Sequence, residues 1–267
     1  MASHFGKFTE LTPEDNANVN NKMHPGDARI ISFESDQPQT PFAPQWSWKV
    51  GEKLISKGRV NTDSLRDYIL EKEKEIIAKH PPDSDGQTGL GAKSLTARFK
   101  YYNAMEWDHP EIKNLKKEIV KFHKQFVKQA IGVGYNPPKG IRIRCWANVM
   151  RRGERIKKHL HSLHPHTYIG GHFTVACNET ATIYVNPFDH SDEQAILRRV
   201  KNGETLSSQS LYPAENVVGK LTFFPNFVPH MTTPHRSDEE RITMAFDLTP
   251  LASVFRDDET DLPLLNE

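Results

Sequence analysis

The chain has 267 residues and only two cysteines, Cys145 and Cys177. Two cysteines cannot build a disulfide framework or a cysteine-based zinc site; both lie in strand-like runs and read as buried thiols. A charge of one sign is equally missing: 35 Lys plus Arg stand against 34 Asp plus Glu, a formal net charge of +1. That balance removes the electrostatic case for nucleic acid or an anionic membrane as partner. No apolar run reaches about 18 residues, so no helical membrane span is expected. The stretch MASHFGKFTELTPEDN has neither the basic flank nor the apolar segment of a signal peptide, and the expected compartment is the cytoplasm. Length, by contrast, is ample. A chain of this size can bury about three-quarters of its unfolded surface, so a full core needs no staples.

Residues 1 to about 58 are polar and broken by Pro13, Pro25, Pro38, Pro41 and Pro44. With no sustained period they read as an irregular N-terminal extension, docked onto the rest through Trp46 and Trp48. Residues 59–267 are expected to form a single domain, helical over about 59–135 and β-rich over about 141–250. Thr62 or Asp63 can cap a first helix, which Pro81-Pro82 stops. A second helix starts near His109, with Pro110 in its first turn; Ile112, Leu115, Ile119, Phe122 and Phe126 draw one apolar stripe along it. Between the helices, SLTARFKYYN reads as extended. From Ile141 the pattern changes to short strands, IRIRCWANVM, IGGHFTVAC, TATIYVNPF, GKLTFFPN and ERITMAFDL, separated by Gly, Pro and Asn. SDEQAILRRVKN interrupts them as a helix-like or loop insertion. Helices first and many short strands after them indicate an α+β, mainly β fold, with a sandwich or barrel carrying the helices on one sheet.

The chemistry-bearing residues concentrate in KKHLHSLHPHTYIGGHF, Lys157 to Phe173. In an extended segment alternate side chains point the same way, about 6.6 Å apart along the backbone, so His159 and His161 can converge on one ion. His230, after the Phe-rich strand and a Pro-bounded turn, is the best distant third ligand. Further on, RITMAF alternates Arg241, Thr243 and Ala245 with Ile242, Met244 and Phe246. One face packs, and the other carries a guanidinium and a hydroxyl inward. A buried guanidinium needs an anion, and its fork suits a carboxylate. The neighbouring strands offer no obvious acidic partner, which points to a small-molecule carboxylate. His172 alternates with Phe173 and reads as a pocket or core histidine. Arg98 and Tyr102 are candidate pocket or substrate contacts, as are Trp146, Asn148 and His164.

Taken in order, Trp146, Asn148, Gly153, His159, His161, Gly170-Gly171, Phe224-Pro225, His230, Arg241-Ile242 and Phe246 resemble the Fe(II)- and 2-oxoglutarate-dependent oxygenases, nearest to a branch found in bacteria and phages. The resemblance spans about residues 88–248. It implies a double-stranded β-helix, a jelly-roll or cupin-like core. It also implies Fe(II) on His159, His161 and His230, with 2-oxoglutarate on Arg241 helped by Thr243 and O2 as the second cosubstrate. The implied activity is a hydroxylase of an unidentified amino acid, peptide or other substrate. His161 stands where most of these oxygenases carry Asp or Glu, leaving two coordinations open: three histidines, or two with His161 only hydrogen bonding. A second register, with His164 and His166 as the pair, follows if one counts back from Gly170-Gly171; Pro165 disfavours it. Two other functions remain. One is a non-catalytic cupin-like metal-binding or structural module. The other is a zinc metallohydrolase, since HLHSLH echoes a His-x-His-x-Asp-His run but has Leu163 in place of the Asp.

Overall fold

A computed structural model of the chain describes residues 7–11, 23–83, 88–131, 140–163, 168–177, 180–203, 211–251 and 265. Ten strands are present among them: β1 Phe8–Leu11, β2 Ala28–Glu34, β3 Ser47–Leu54, β4 Ile141–Met150, β5 Ile169–Ala176, β6 Ala181–Val185, β7 Leu211–Glu215, β8 Lys220–Pro225, β9 His230–Thr232 and β10 Arg241–Pro250. Seven of them form a major sheet in the order β1-β2-β3-β8-β5-β10-β4, and three form a minor sheet in the order β7-β6-β9. Every strand pair is antiparallel except β1 with β2. An isolated bridge pairs His159 with His230 and so sets the segment between β4 and β5 against the minor sheet. From β4 to β10 the chain therefore crosses repeatedly between the two sheets, with β6 and β7 as a consecutive pair in the minor one. The fold is α+β, mainly β, with a jelly-roll core.

Two helices cover the outer face of the major sheet, α1 Thr62–Lys79 and α2 Pro110–Ile131. Asn61 caps α1 by accepting from the Ser64 amide at 3.3 Å. Leu65, Ile69, Ile112, Leu115, Ile119, Phe122 and Phe126 meet Leu221, Phe223, Phe173, Met244 and Phe246 in one buried cluster. Burying a large apolar side chain is worth about 1.5–3 kcal/mol, so this layer carries much of the stability. A second cluster, with Ile31, Phe33, Trp48, Val50, Tyr184, Tyr212 and Phe224, fills the space between the sheets. The insertion read from SDEQAILRRVKN is a helix, α3 Glu193–Lys201, capped by Asp192.

Two expectations fail. The described residues before about 58 are not an irregular extension: β2 and β3 are integral to the major sheet, and β3 pairs directly with β8. In β3, polarity concealed the strand. Glu52 and Lys53 are buried in β3, where Glu52 is bonded by Arg29 and Lys220, and Lys53 by Glu118. Burial raises the Glu52 carboxyl, but Lys220 and Arg29 more than offset it and hold it at about 2. SLTARFKYYN is also not extended. Thr96–Tyr101 is a 3-10 turn, held because the Arg98 guanidinium donates to the carbonyls of His80, Ala92 and Ser94.

Candidate metal and cosubstrate site

The mouth of the jelly roll holds three histidines from distant parts of the chain. His159 and His230 exchange backbone hydrogen bonds of 3.1 and 2.9 Å, and the His161 amide donates to the Asn226 carbonyl at 3.0 Å. The ligand segment is thus zipped onto the turn before β9, more as a bridge than as the regular strand its spacing suggested. One nitrogen from each of His159, His161 and His230 lies within 4.8 Å of the others. The Nδ1 atoms are already committed. His159 Nδ1 lies 2.8 Å from the Lys157 carbonyl, His230 Nδ1 is 3.1 Å from the Val228 carbonyl, and His161 Nδ1 is 2.5 Å from Asp247 Oδ1. Each contact makes Nδ1 the donor, which leaves the lone pair on Nε2, the tautomer that a metal ligand requires. Burial, with the charges of His159 and His161 added, presses His230 well below its usual pKa and keeps its ring neutral. The donor set fits a divalent ion.

Deeper in the same pocket lies Arg241, 2% exposed. Its Nη2 donates to Thr182 Oγ1 and its Nη1 to the Met150 sulfur, both at 3.3 Å, and its Nε has no partner. Among the described residues no carboxylate forms an ion pair with it. Burial lowers its pKa from 12.5 to about 10, the mark of a cation whose counter-charge the protein does not supply. The alternation of β10 is kept: Arg241, Thr243 and Ala245 line the pocket, whereas Ile242, Met244 and Phe246 enter the helix-side core. Three imidazoles and one unanswered guanidinium in one pocket make a site for an ion and a small anion.

Residues 144–247 match the family model described as "Putative 2OG-Fe(II) oxygenase". This segment, less than half of the chain, carries the signature of the 2OG-Fe(II) oxygenases. The family is defined by Fe(II) and 2-oxoglutarate, the metal and cosubstrate of this oxygenase. No curated protein matches the chain by sequence. Among solved structures it is similar to the carbocyclase SnoK from nogalamycin biosynthesis, non-heme and alpha-ketoglutarate dependent (11% identity, 75% of this chain and 79% of that one, TM-score 0.45). It is also similar to HygX from Streptomyces hygroscopicus with nickel and 2-oxoglutarate bound (12% identity, 76% and 82%, TM-score 0.42). A third is a Pseudomonas putida prolyl-4-hydroxylase (13% identity, 53% and 67%, TM-score 0.35).

The oxygenase pocket also takes in Trp146, Asn148, His172 and Thr243. His172 is buried in this pocket; burial, then the charges of Arg241 and Lys220, lower its pKa to about 3. Arg98 and Tyr102 do not line the pocket. Arg98 is spent on backbone carbonyls, and Tyr102 Oη accepts from the Ala147 amide at 3.2 Å while its ring stacks on Trp107. His164 and His166 lie outside the described residues. The Gly170-Gly171 pair has a steric reason. A Cβ on Gly171 would come within 2.6 Å of the Phe246 ring and of the Thr222 carbonyl, and one on Gly170 within 3.1 Å of His161 Nδ1. Sequence reasoning missed two residues. Thr182 is an unremarkable strand threonine, and nothing in the spacing of Asp247, directly after RITMAF, ties it to His161. Among the described residues no helix is long and apolar enough to cross a membrane.

Proposed function

We propose that this oxygenase is a 2-oxoglutarate-dependent dioxygenase that hydroxylates a C–H bond of its substrate, with His159, His161 and His230 as iron ligands and Arg241 as the anchor of the cosubstrate. The observation that carries this reading is the buried guanidinium without a counter-ion in the same pocket as three converging imidazoles. Bound together, iron, 2-oxoglutarate and O2 supply oxidative decarboxylation: one oxygen atom ends in succinate as CO2 leaves, and the other enters the substrate.

The chain's own residues set the geometry. Arg241 offers its fork to the far carboxylate of the cosubstrate, with Thr182 and Thr243 as hydroxyl neighbours. The neutral His172 lines the same pocket and can donate a hydrogen bond without adding charge. Phe224 and Trp146 shield the histidines from bulk water. Three neutral imidazoles leave a ferrous site at +2, which a 2-oxoglutarate dianion balances. A zinc metallohydrolase would need a layered βα fold, which these antiparallel sheets are not.

Purified protein given Fe(II), 2-oxoglutarate and air should form succinate slowly even without substrate. His230→Ala should abolish the reaction, and Arg241→Ala should raise the 2-oxoglutarate concentration it needs. Succinate no higher than in a protein-free control would overturn the reading and favour an inert cupin-like module.

A further inference from the structure

Resting on that reading, we infer that Asp247 is a positioning residue for the metal. Its carboxylate fixes His161 with Nε2 as the ligand atom, and it supplies from one bond further out the negative charge that a carboxylate ligand would have brought.

Three observations converge on Asp247. First, the three histidines are not backed alike. His159 and His230 direct Nδ1 at backbone carbonyls, which are neutral, and only His161 has a carboxylate there. A histidine that gives its second N–H to a carboxylate is the more basic ligand. Second, the slot is built for this pair. Asp247 sits opposite Gly170 across the β10–β5 ladder. A Cβ on Gly170 would lie 3.1 Å from His161 Nδ1 and 2.4 Å from Asn226 Oδ1, so the strand leaves open the space the imidazole fills. The same Asn226 fixes the His161 backbone through its carbonyl. Third, the His161 side chain is 6% exposed and that of Asp247 28%. The carboxylate keeps contact with water, so its charge is tolerated, while the ring it holds stays inside.

A purely structural ion pair would behave in the opposite way. If Asp247 existed to stabilise a protonated His161, the metal would have to displace that proton, and removing the carboxylate would leave metal binding unchanged or tighter.

The test uses full-length protein and Co(II) alone, titrated by calorimetry and visible absorption. It compares wild type, Asp247→Ala, Asp247→Asn and Asp238→Asn, with circular dichroism to establish folding. Asp238 pairs with Arg152 on the surface and serves as the control carboxylate. Asp247→Ala should bind Co(II) about 10–100-fold more weakly. Asp247→Asn, which keeps an acceptor but not the charge, should also weaken binding, and both should alter the Co(II) spectrum. Asp238→Asn should match wild type. Folded Asp247 variants that bind Co(II) as tightly as wild type, or more tightly, overturn the inference and leave the metal centre standing. If Ala does not fold, Asn decides. Wild type that binds no Co(II) overturns the metal centre itself, and this inference with it.

Discussion

Arg241→Met should make the ligand-free protein more stable and at the same time remove its response to 2-oxoglutarate at the concentration that stabilises wild type. The guanidinium is buried with no anion beside it, and burial lowers its pKa from 12.5 to about 10. At about 1.36 kcal/mol per pKa unit, that fall is a destabilisation of roughly 3 kcal/mol carried by the charged form. The sign follows from linkage: a cation whose folded pKa lies below its unfolded value is penalised in full below the folded pKa, and the penalty fades only at more alkaline pH. It is therefore present throughout the physiological range. Methionine keeps most of the volume without the charge. Against this stand the lost bonds to Thr182 and Met150, so a net gain of about 1–2 kcal/mol is expected, within the range seen when apolar residues replace buried charges. The ligand response runs the other way. With a redox-inert divalent metal present, 2-oxoglutarate at about 100 times its Kd should stabilise wild type by about 2.7 kcal/mol. That is roughly 5–10 °C in Tm for a chain of this size. Urea unfolding gives the first quantity and thermal melts the second. An Arg241→Met protein that unfolds at lower urea than wild type, or that still gains in Tm on adding 2-oxoglutarate, would refute the reasoning.

The ligand-free protein should also lose stability in mild acid. Burial lowers His123 to about 4 and His172 to about 3. An unfolded chain takes up these protons near pH 6.5 and the folded one does not, so stability falls as pH drops through the unfolded value, by up to roughly 2.7 kcal/mol per pH unit for the two groups. Urea midpoints that stay flat between about pH 7 and pH 5 would contradict this; His230, also held low by burial, adds to the fall, and His123→Phe should remove only its own share of the slope. Gly171→Ala should destabilise by about 1–3 kcal/mol, because the added methyl meets the Phe246 ring and the Thr222 carbonyl. Gly58→Ala, which meets nothing within 4 Å, should be neutral or slightly stabilising in the same denaturation assay.

How much of this was legible in the sequence depended on which physical signal each part carried. Helices α1 and α2 announced themselves through caps, a proline stop and an apolar stripe, and β4, β5, β6, β8 and β10 through short β-rich runs between Gly, Pro and Asn; the short β7 and β9 carried no such signal. β2 was invisible because both of its faces are covered, so Ile30 and Ile31 are both buried and no period-two contrast survives. β3 was hidden for the opposite reason: Glu52 and Lys53 look like surface residues until Arg29, Lys220 and Glu118 are seen beside them. The turn at Thr96–Tyr101 was misread because its aromatic and β-branched residues resemble a strand, and only the backbone carbonyls gathered by Arg98 reveal otherwise. At the site, His-x-His, the distant His230 and the inward alternation at Arg241 were all readable from spacing. The link between His161 and Asp247 was not, since it depends on a register across β10 and β5 that no local pattern encodes.

The most direct test of the site is an anaerobic titration of the protein with Fe(II) and 2-oxoglutarate, followed by visible absorption. The expected result is a charge-transfer band that needs both additions, vanishes in His230→Ala, and in Arg241→Ala appears only at much higher 2-oxoglutarate. No band from wild type with both present, or an undiminished band in His230→Ala, would contradict a shared pocket of three imidazoles and one guanidinium.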